Sequence, residues 1–416
     1  MKLQCKGRNL VKSTKMRKNL NIFVIGILIL GIFLSLSGII FVSQAKGEPK
    51  VRKIVVFKEG VDEATKEDLI NRAGGEKIKD LKIIRGKAVW LTPQAEKNLA
   101  KRAEVLRIDP DVEVYALENV KIKGAKPQPS QTLTWNIDQV DAEISWGIST
   151  GDPVKVGVID TGIDLKHPDL QANIKGGYNA IYPWKSPNDD NGHGTHVAGI
   201  IAALNNSIGV IGVGPNIDLY AIKVLNAAGW GYLSDVIEGI EWVINQKNTQ
   251  GGDWVINMSL GTSQDLESFH NAIVSAYNAG ITIVAAAGNS GGAVSYPAAY
   301  PEVIAVSATD DTNQIASWSS RGPEVDLAAP GVSIYSTYKG QSYATLSGTS
   351  MAAPHVSGAA ALIIDTKKCD LNLDGVCTPA EVQQRLEQTA TDLGAPGKDN
   401  LYGAGLVNVY QVLTQP

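Results

Sequence analysis

Apolar positions along this chain fall into three successive patterns. The first is an uncharged run from Ile22 to Val42, 21 residues, long enough to span a bilayer. In the second, Val51 to Phe57 alternates like a strand and Thr65 to Ala73 has helical spacing ended by Gly74-Gly75. Lys77 to Trp90 predicts two strands turning at Arg85-Gly86, Pro93 to Ala103 a second helix, and Val112 to Ala116 a last strand. The order β-α-β-β-α-β is that of a small α+β, ferredoxin-like domain.

The third pattern starts near Thr132. Apolar strands at Lys155 to Ile159, Asp218 to Val224, Trp254 to Met258, Ile281 to Ala286 and Val303 to Ser307 alternate with helical spacings at His193 to Leu204, Leu233 to Gln246 and Leu266 to Ala279. Such alternation predicts an α/β fold, a doubly wound, mostly parallel sheet with helices on both faces. Ligands bind such sheets at the carboxyl ends of the strands. The predicted segments are 1–45, an export signal or anchor; 46–125, the small domain and a linker rich in Lys, Gly and Pro; and 126–416, the large domain.

Composition changes this picture in one place. At 416 residues and 44% hydrophobic content there is material for a large core. The net charge of −4 hides an asymmetry: residues 1–20 hold seven Lys or Arg and no acid, leaving 31 basic against 42 acidic residues after them. No nucleic-acid partner is implied. A basic flank before the apolar run places the remainder outside the cytoplasm. Ser43-Gln44-Ala45 offers small residues for signal cleavage, which favours a secretory signal over a retained anchor. Membrane contact is expected only through that segment.

Candidate chemistry centres on Gly348-Thr349-Ser350-Met351, just ahead of the apolar run Val356 to Ile364. Ser350 would stand near the positive end of a helix dipole. A hydroxyl nucleophile needs a base, a carboxylate to orient the base, and donors for an oxyanion. Asp160 ends the strand Val156 to Ile159, and Asn289 follows the strand Ile281 to Ala287. His193 and His196 open a helix one turn apart, and spacing alone does not choose between them. His167, His270 and His355 read as structural or solvated.

The segment 370–381 fits the 12-residue EF-hand calcium loop, with Asp370, Asn372 and Asp374 at the oxygen positions, Gly375 at the turn, Val376 and Thr378 next, and Glu381 last. Cys369 and Cys377 flank it; in an exported protein a disulfide between them is permitted by the spacing. Zinc is disfavoured, with two thiols and no nearby His except His355.

From about Trp135 to about Val409 these motifs resemble the subtilisin-like serine proteases, the subtilases, in which the order is also Asp, His, Ser. The resemblance implies a secreted serine endopeptidase acting on protein or peptide substrates. It assigns Ser350 as nucleophile, His193 as base, Asp160 as its orienting acid, and Asn289 with the Ser350 N–H as oxyanion donors. Substrate would be added as a strand between Gly229-Trp230-Gly231 and Ser259-Leu260-Gly261. The primary pocket would be lined by Ser259 to Gly261, Ala286, Ala287, Gly288 and Ser295, small or apolar residues that suit a large apolar side chain. Trp230 is bulkier than residues often found there.

The same resemblance implies a second calcium site, formed by Gln131, Asp169, Leu204, Asn206, Ile208 and Val210. It makes the small domain a propeptide, a folding assistant and inhibitor of its own enzyme, with self-cleavage within or just before Glu118 to Gln131. A monomer is expected. A catalytically silent relative would be expected to lose one of the four catalytic residues, and an esterase would show Gly-x-Ser-x-Gly where position 352 is Ala.

Overall fold

The computed structural model describes residues 48–118, 120, 121 and 128–415. The predicted signal, 1–45, therefore lies outside the described residues, as does most of the linker. The first elements are β1 (Val51–Phe57), α1 (Glu63–Arg72), β2 (Glu76–Leu81), β3 (Gly86–Leu91), α2 (Pro93–Leu99) and β4 (Val105–Pro110). Asp62 caps α1 by accepting from the Thr65 N–H at 2.8 Å, and Thr92 caps α2 with Pro93 at its first position. The strands pair antiparallel in the order β2-β3-β1-β4, a ferredoxin-like sheet.

One expectation is corrected here. Val112 to Ala116 does not close this sheet; β4 does, and β5 (Glu113–Ala116) leaves it for a different partner. The pattern of β4 is blurred by Arg107 and Asp109, which pair at 2.9 Å, and by Arg107 reaching Glu267 at 2.7 Å. β5 alternates cleanly because Val114 is buried while its neighbours are not, and periodicity reports burial without naming what does the burying.

The chain continues through β6 (Val120–Lys121), α3 (Trp135–Gln139), β7 (Lys155–Asp160), β8 (Ile174–Asn179), α4 (His193–Ala202), β9 (Asp218–Lys223) and β10 (Trp230–Tyr232). Then come α5 (Leu233–Gln250), β11 (Trp254–Met258), β12 (Leu260–Gly261), α6 (Glu267–Asn278), β13 (Thr282–Ala286), β14 (Ile304–Thr309) and β15 (Leu327–Pro330). The hairpin β16 (Ile334–Tyr338) and β17 (Ser342–Ser347), then α7 (Thr349–Asp365), α8 (Pro379–Gln388) and α9 (Val409–Thr414), complete it. Seven strands form one sheet, β15-β14-β13-β11-β7-β9-β8, with every neighbouring pair parallel. The predicted α/β class is what forms.

Unbroken Val, Ile and Ala runs suit strands covered on both faces. On one face Val156, Val158 and Val284 meet Val197 and Ile201 of α4 and Met351, Val356 and Leu362 of α7. On the other, Ile159, Ile256 and Ile283 meet Val236 and Ile240 of α5 and Phe269 and Ile273 of α6. α7 is buried through Ile364, and its small residues permit close approach: a Cβ on Gly358 would lie 2.6 Å from Val213 Cβ.

The N-terminal sheet is also covered twice. Val55, Phe57, Val89 and Leu91 face Leu69, Ile70, Ala95 and Leu99 of its own helices. Ile54, Val56, Leu81, Ile84 and Ala88 face the other way and share one core with α5 and α6. Among the described residues no helix is long and apolar enough to cross a membrane.

Candidate active site

Asp160 ends β7, flanked by β9 and β11 at the carboxyl edge of the sheet. Its carboxylate meets His193 Nδ1 at 2.8 and 2.9 Å and accepts from the Thr161 N–H at 2.6 Å. Both side chains are fully buried. His193 opens α4, and the glycines around it let the backbone pass close: a Cβ at Gly194 would lie 3.1 Å from Asp160 Oδ1. Burial alone would lower the His193 pKa; the charge and hydrogen bond of Asp160, with smaller help from Glu118 and Asp189, outweigh it and hold it above the ordinary imidazole value.

The second histidine has a different task. His196 Nε2 meets the Ile334 and Ala344 carbonyls at 3.0 and 3.1 Å, tying α4 to the hairpin, and burial pushes its pKa down to about 3. His355 contacts Asn136, His270 pairs with Glu302 and His167 meets the Ser342 carbonyl.

Three positioning residues were not apparent from sequence reasoning. Asp189 accepts from Thr161 Oγ1 (2.9 Å), the N–H groups of Asn191 (2.9 Å), Gly192 (2.8 Å) and Thr195 (3.0 Å), and Thr195 Oγ1 (2.6 Å). Its carboxylate thus fixes both the turn before His193 and the residue after Asp160. Lys223, almost fully buried, donates to the Thr161 and Leu225 carbonyls at 2.8 Å and to Asp190 at 2.7 Å. The available signal was the run Asp189-Asp190-Asn191-Gly192, a helix-entry composition that specifies no role. Thr349 is the third.

Ser350 lies in the first turn of α7. Its Oγ donates to the Ser259 carbonyl at 3.0 Å, while Ser259 Oγ donates back to the Ser350 carbonyl at 2.9 Å. Asn289 Oδ1 accepts from Thr349 N–H and Thr349 Oγ1, both at 2.9 Å, which fixes the amide's orientation. Among the described residues, neither His193 Nε2 nor Asn289 Nδ2, both buried, has a hydrogen-bond partner. Buried polar groups are nearly always paired, so these two atoms ask for an explanation.

The predicted edge segments border one strand. β5 lies between β10 and β12, with Val114 opposite Gly231, Tyr115 opposite both Trp230 and Gly261, and Ala116 opposite Leu260. The Ala116 N–H donates to the Gly229 carbonyl at 2.9 Å. Val114 is buried in the core that holds Leu233, Val236 and Leu260. Beyond β5 a cavity of about 480 Å³ is lined by Leu117, Gly261, Thr262 and Ser295. Ala286 and Ala287 are buried, and the Ala287 carbonyl accepts from the Ser295 N–H at 2.8 Å; a Cβ on Gly288 would lie 2.6 Å from Ser295 Oγ. Trp230 packs edge-on against Tyr232 and lines a separate cavity of about 460 Å³ with Tyr182, Trp184 and Arg52.

Comparison with known proteins agrees with this geometry. The Subtilase family matches residues 151–405. The chain belongs to the subtilase family. Subtilisin amylosacchariticus of Bacillus subtilis subsp. amylosacchariticus is 43% identical over 380 residues, 88% of this chain and 92% of its own. An alkaline protease of Alkalihalobacillus alcalophilus is 46% identical over 307 residues, 73% of this chain and 75% of its own. Subtilisin Savinase of Lederbergia lenta is 48% identical over 281 residues, 67% of this chain and 98% of its own. This subtilase is a subtilisin-like serine endopeptidase, and as a protease it acts on protein or peptide substrates.

Of the two candidate calcium sets of the subtilase, the structure links residues of the one around Asp169 and leaves the carboxylate of Glu381 in the other engaged by Thr378. Asp169 is fully buried, and burial pushes its pKa up to about 6 although the Val210 N–H, Asn206 Nδ2 and Tyr343 Oη all donate to it. Gln131 Nε2 reaches the Leu204 and Val210 carbonyls at 2.8 and 3.5 Å, and Asn206 Oδ1 accepts from the Ile208 N–H at 2.7 Å. The Asp169 carboxylate and the Leu204 and Val210 carbonyls are oxygen donors of the kind a hard cation takes.

In the loop 370–381, Asp370 accepts from the N–H groups of Asp374 and Gly375 at 3.0 and 2.8 Å, and Asn372 Oδ1 from Asp374 at 2.9 Å. Thr378 caps α8, and Glu381 Oε2 accepts from its N–H at 3.0 Å and its hydroxyl at 2.7 Å. Cys369 and Cys377 are joined by a disulfide with Cα atoms 5.3 Å apart, which closes the first eight residues of the loop. Among the described residues no cluster of three His, Cys, Asp or Glu side chains is suited to a metal. Either set would therefore draw on amide and carbonyl oxygens as well as carboxylates.

Proposed function

We propose that this subtilase is an exported, calcium-stabilised endopeptidase made as a self-processing precursor, with Asp160, His193 and Ser350 as its triad. The observation that carries the reading is the double contact of His193 Nδ1 with Asp160, which leaves Nε2 as the nitrogen open to a proton from Ser350. Ser350 Oγ attacks the carbonyl carbon of the substrate, His193 takes its proton and passes it to the leaving amine, and water then splits the acyl ester by the same route in reverse. Asp160 holds the tautomer and stabilises the charged ring. Asn289 Nδ2 and the Ser350 N–H receive the oxyanion. Large apolar side chains are preferred before the scissile bond, since the residues expected to wall the pocket, Gly261, Ala287 and Gly288, are small.

The N-terminal sheet and β5 act as the inhibitor. Its support is the seam with α5: Asp111 accepts from the Ser234 N–H at 2.9 Å, capping that helix from outside, while Arg52 pairs with Asp111 at 2.8 Å. Lys79 pairs with Asp235 and Glu238, and Glu241 accepts from the Lys82 N–H at 3.0 Å.

The triad must have a neutral His193 to work, and its pKa is held above the ordinary imidazole value of 6.5. Self-processing of the precursor should therefore fall as pH drops through a value above 6.5. A profile that stays flat to pH about 5 would remove His193 as base.

Calcium would be held by Asp169, Asn206, Gln131 and the carbonyls of Leu204, Ile208 and Val210, and by Asp370, Asn372, Asp374, Val376, Thr378 and Glu381. Its role is to favour folded over unfolded chain by mass action. Saturation at about 100 times Kd contributes about 2.7 kcal/mol per site. Excess EGTA should lower the thermal midpoint by about 5–10 °C, and Asp169→Asn should shrink that difference. Equal midpoints with and without EGTA would remove calcium from the reading.

A further inference from the structure

We propose that the bond between Leu117 and Glu118 is the one that this subtilase cuts first in its own chain. The inference rests on the self-processing reading above and adds the bond. Backbone register points to it: the Leu117 N–H donates to the Ser259 carbonyl at 3.2 Å, the same oxygen that accepts from Ser350 Oγ at 3.0 Å. Leu117 and the nucleophile are therefore held by one atom.

The carbonyl position agrees. The point where a Cβ on Gly348 would stand is 2.4 Å from the Leu117 carbonyl oxygen, 3.2 Å from Asn289 Nδ2 and 3.2 Å from Glu118 Cα. The peptide unit joining Leu117 to Glu118 therefore shares one small space with the amide nitrogen that has no partner. Only a residue without a side chain at 348 leaves that space open.

Side-chain placement is a third, separate observation. Leu117 Cδ1 and Ser295 Cβ lie 3.2 and 3.3 Å from where a Cβ on Gly261 would be, so the Leu117 side chain packs against Gly261 beside Ser295, two of the residues expected to line the primary pocket. The chain is also gripped beyond the bond, where β6 pairs antiparallel with β17, Val120 opposite Ser347 and Lys121 opposite Leu346. Strand pairing on both sides holds the bond across the serine.

In the step, a bond forms between Ser350 Oγ and the Leu117 carbonyl carbon while the bond from that carbon to the Glu118 nitrogen breaks. The hydroxyl proton passes through His193 to that nitrogen, which becomes a new amino terminus. Water then adds to the ester carbon, giving the Leu117 carboxylate and restoring the Ser350 hydroxyl.

The test is a time course of intact mass on the folded full-length precursor, beside Ser350→Ala, Leu117→Asp and Leu117→Phe. The quantity read is the carboxyl end of the first N-terminal fragment, because later trimming at the other end does not alter it. A first fragment ending at Leu117, absent in Ser350→Ala, is expected. Leu117→Asp should slow its appearance at least ~10-fold, and Leu117→Phe should stay within about threefold of wild type. A first fragment ending elsewhere, still absent in Ser350→Ala, would overturn the bond and leave self-processing standing. No cleavage in folded wild type, or equal cleavage in Ser350→Ala, would overturn both.

Discussion

Ser350→Ala should lower kcat for peptide hydrolysis by about a million-fold, a magnitude taken from subtilisin, while barely changing the fold. The structural argument concerns what is left behind. Ser350 is fully buried and its Cβ stays, so no cavity larger than one oxygen opens. The Ser259 carbonyl loses one donor but keeps the Leu117 N–H at 3.2 Å. His193 loses no hydrogen bond, since its Nε2 has none. The variant should therefore melt within about 1 kcal/mol of wild type, and its KM should stay near the wild-type value once the cleft is free. Melting curves and kcat/KM on one peptide check both halves. Activity within about a hundredfold of wild type would mean that another group attacks.

Asn289→Ala should cost about a hundred- to a thousandfold in kcat with little change in KM, again a size known from subtilisin. A buried donor without a partner costs about 1–3 kcal/mol, so Nδ2 is held there against its own solvation. Oδ1 explains how: Thr349 supplies two donors at 2.9 Å and leaves the nitrogen turned the other way. A purely structural Asn289 would be replaced well by Asp, which keeps an acceptor for Thr349. An oxyanion donor would not, because Asp puts negative charge where negative charge develops. Asn289→Asp should thus lose at least as much kcat as Asn289→Ala. Recovery in the Asp variant would make the residue structural.

How far the sequence reaches is visible in particular residues. Runs such as Val156 to Ile159 were readable because a parallel strand covered on both faces leaves no polar alternation. The positions of Asp160, Asn289 and Ser259 followed, since strand ends are where such sheets bind. β4 and β5 show the limit. Both are short and half-buried, and nothing local says that one pairs with β1 while the other crosses to β10 and β12. Asp189, Lys223 and Thr349 were invisible for a related reason. Each has a partner far along the chain, Thr161 for Asp189 and Lys223, and Asn289 for Thr349, brought near only by folding, and a side chain that steadies a distant turn leaves no periodicity. The EF-hand-like pattern of 370–381 could be proposed from sequence because its oxygens are local, whereas Asp169 and Gln131 are joined only across the loop 204–210.

The twice-covered N-terminal sheet has a consequence for time. On the proposed reading, once the chain is severed the sheet depends for one apolar face, Ile54, Val56, Leu81, Ile84 and Ala88, on the enzyme that it restrains. At about 25 cal/mol per Å² of apolar surface, a domain this small can hardly stay folded with that face in water. Each departure from α5 and α6 then risks unfolding, and an unfolded peptide near a free protease is food. The restraint would run as a fuse rather than a switch, its length set by how often the sheet lets go, and the first molecules to escape would shorten it for the rest.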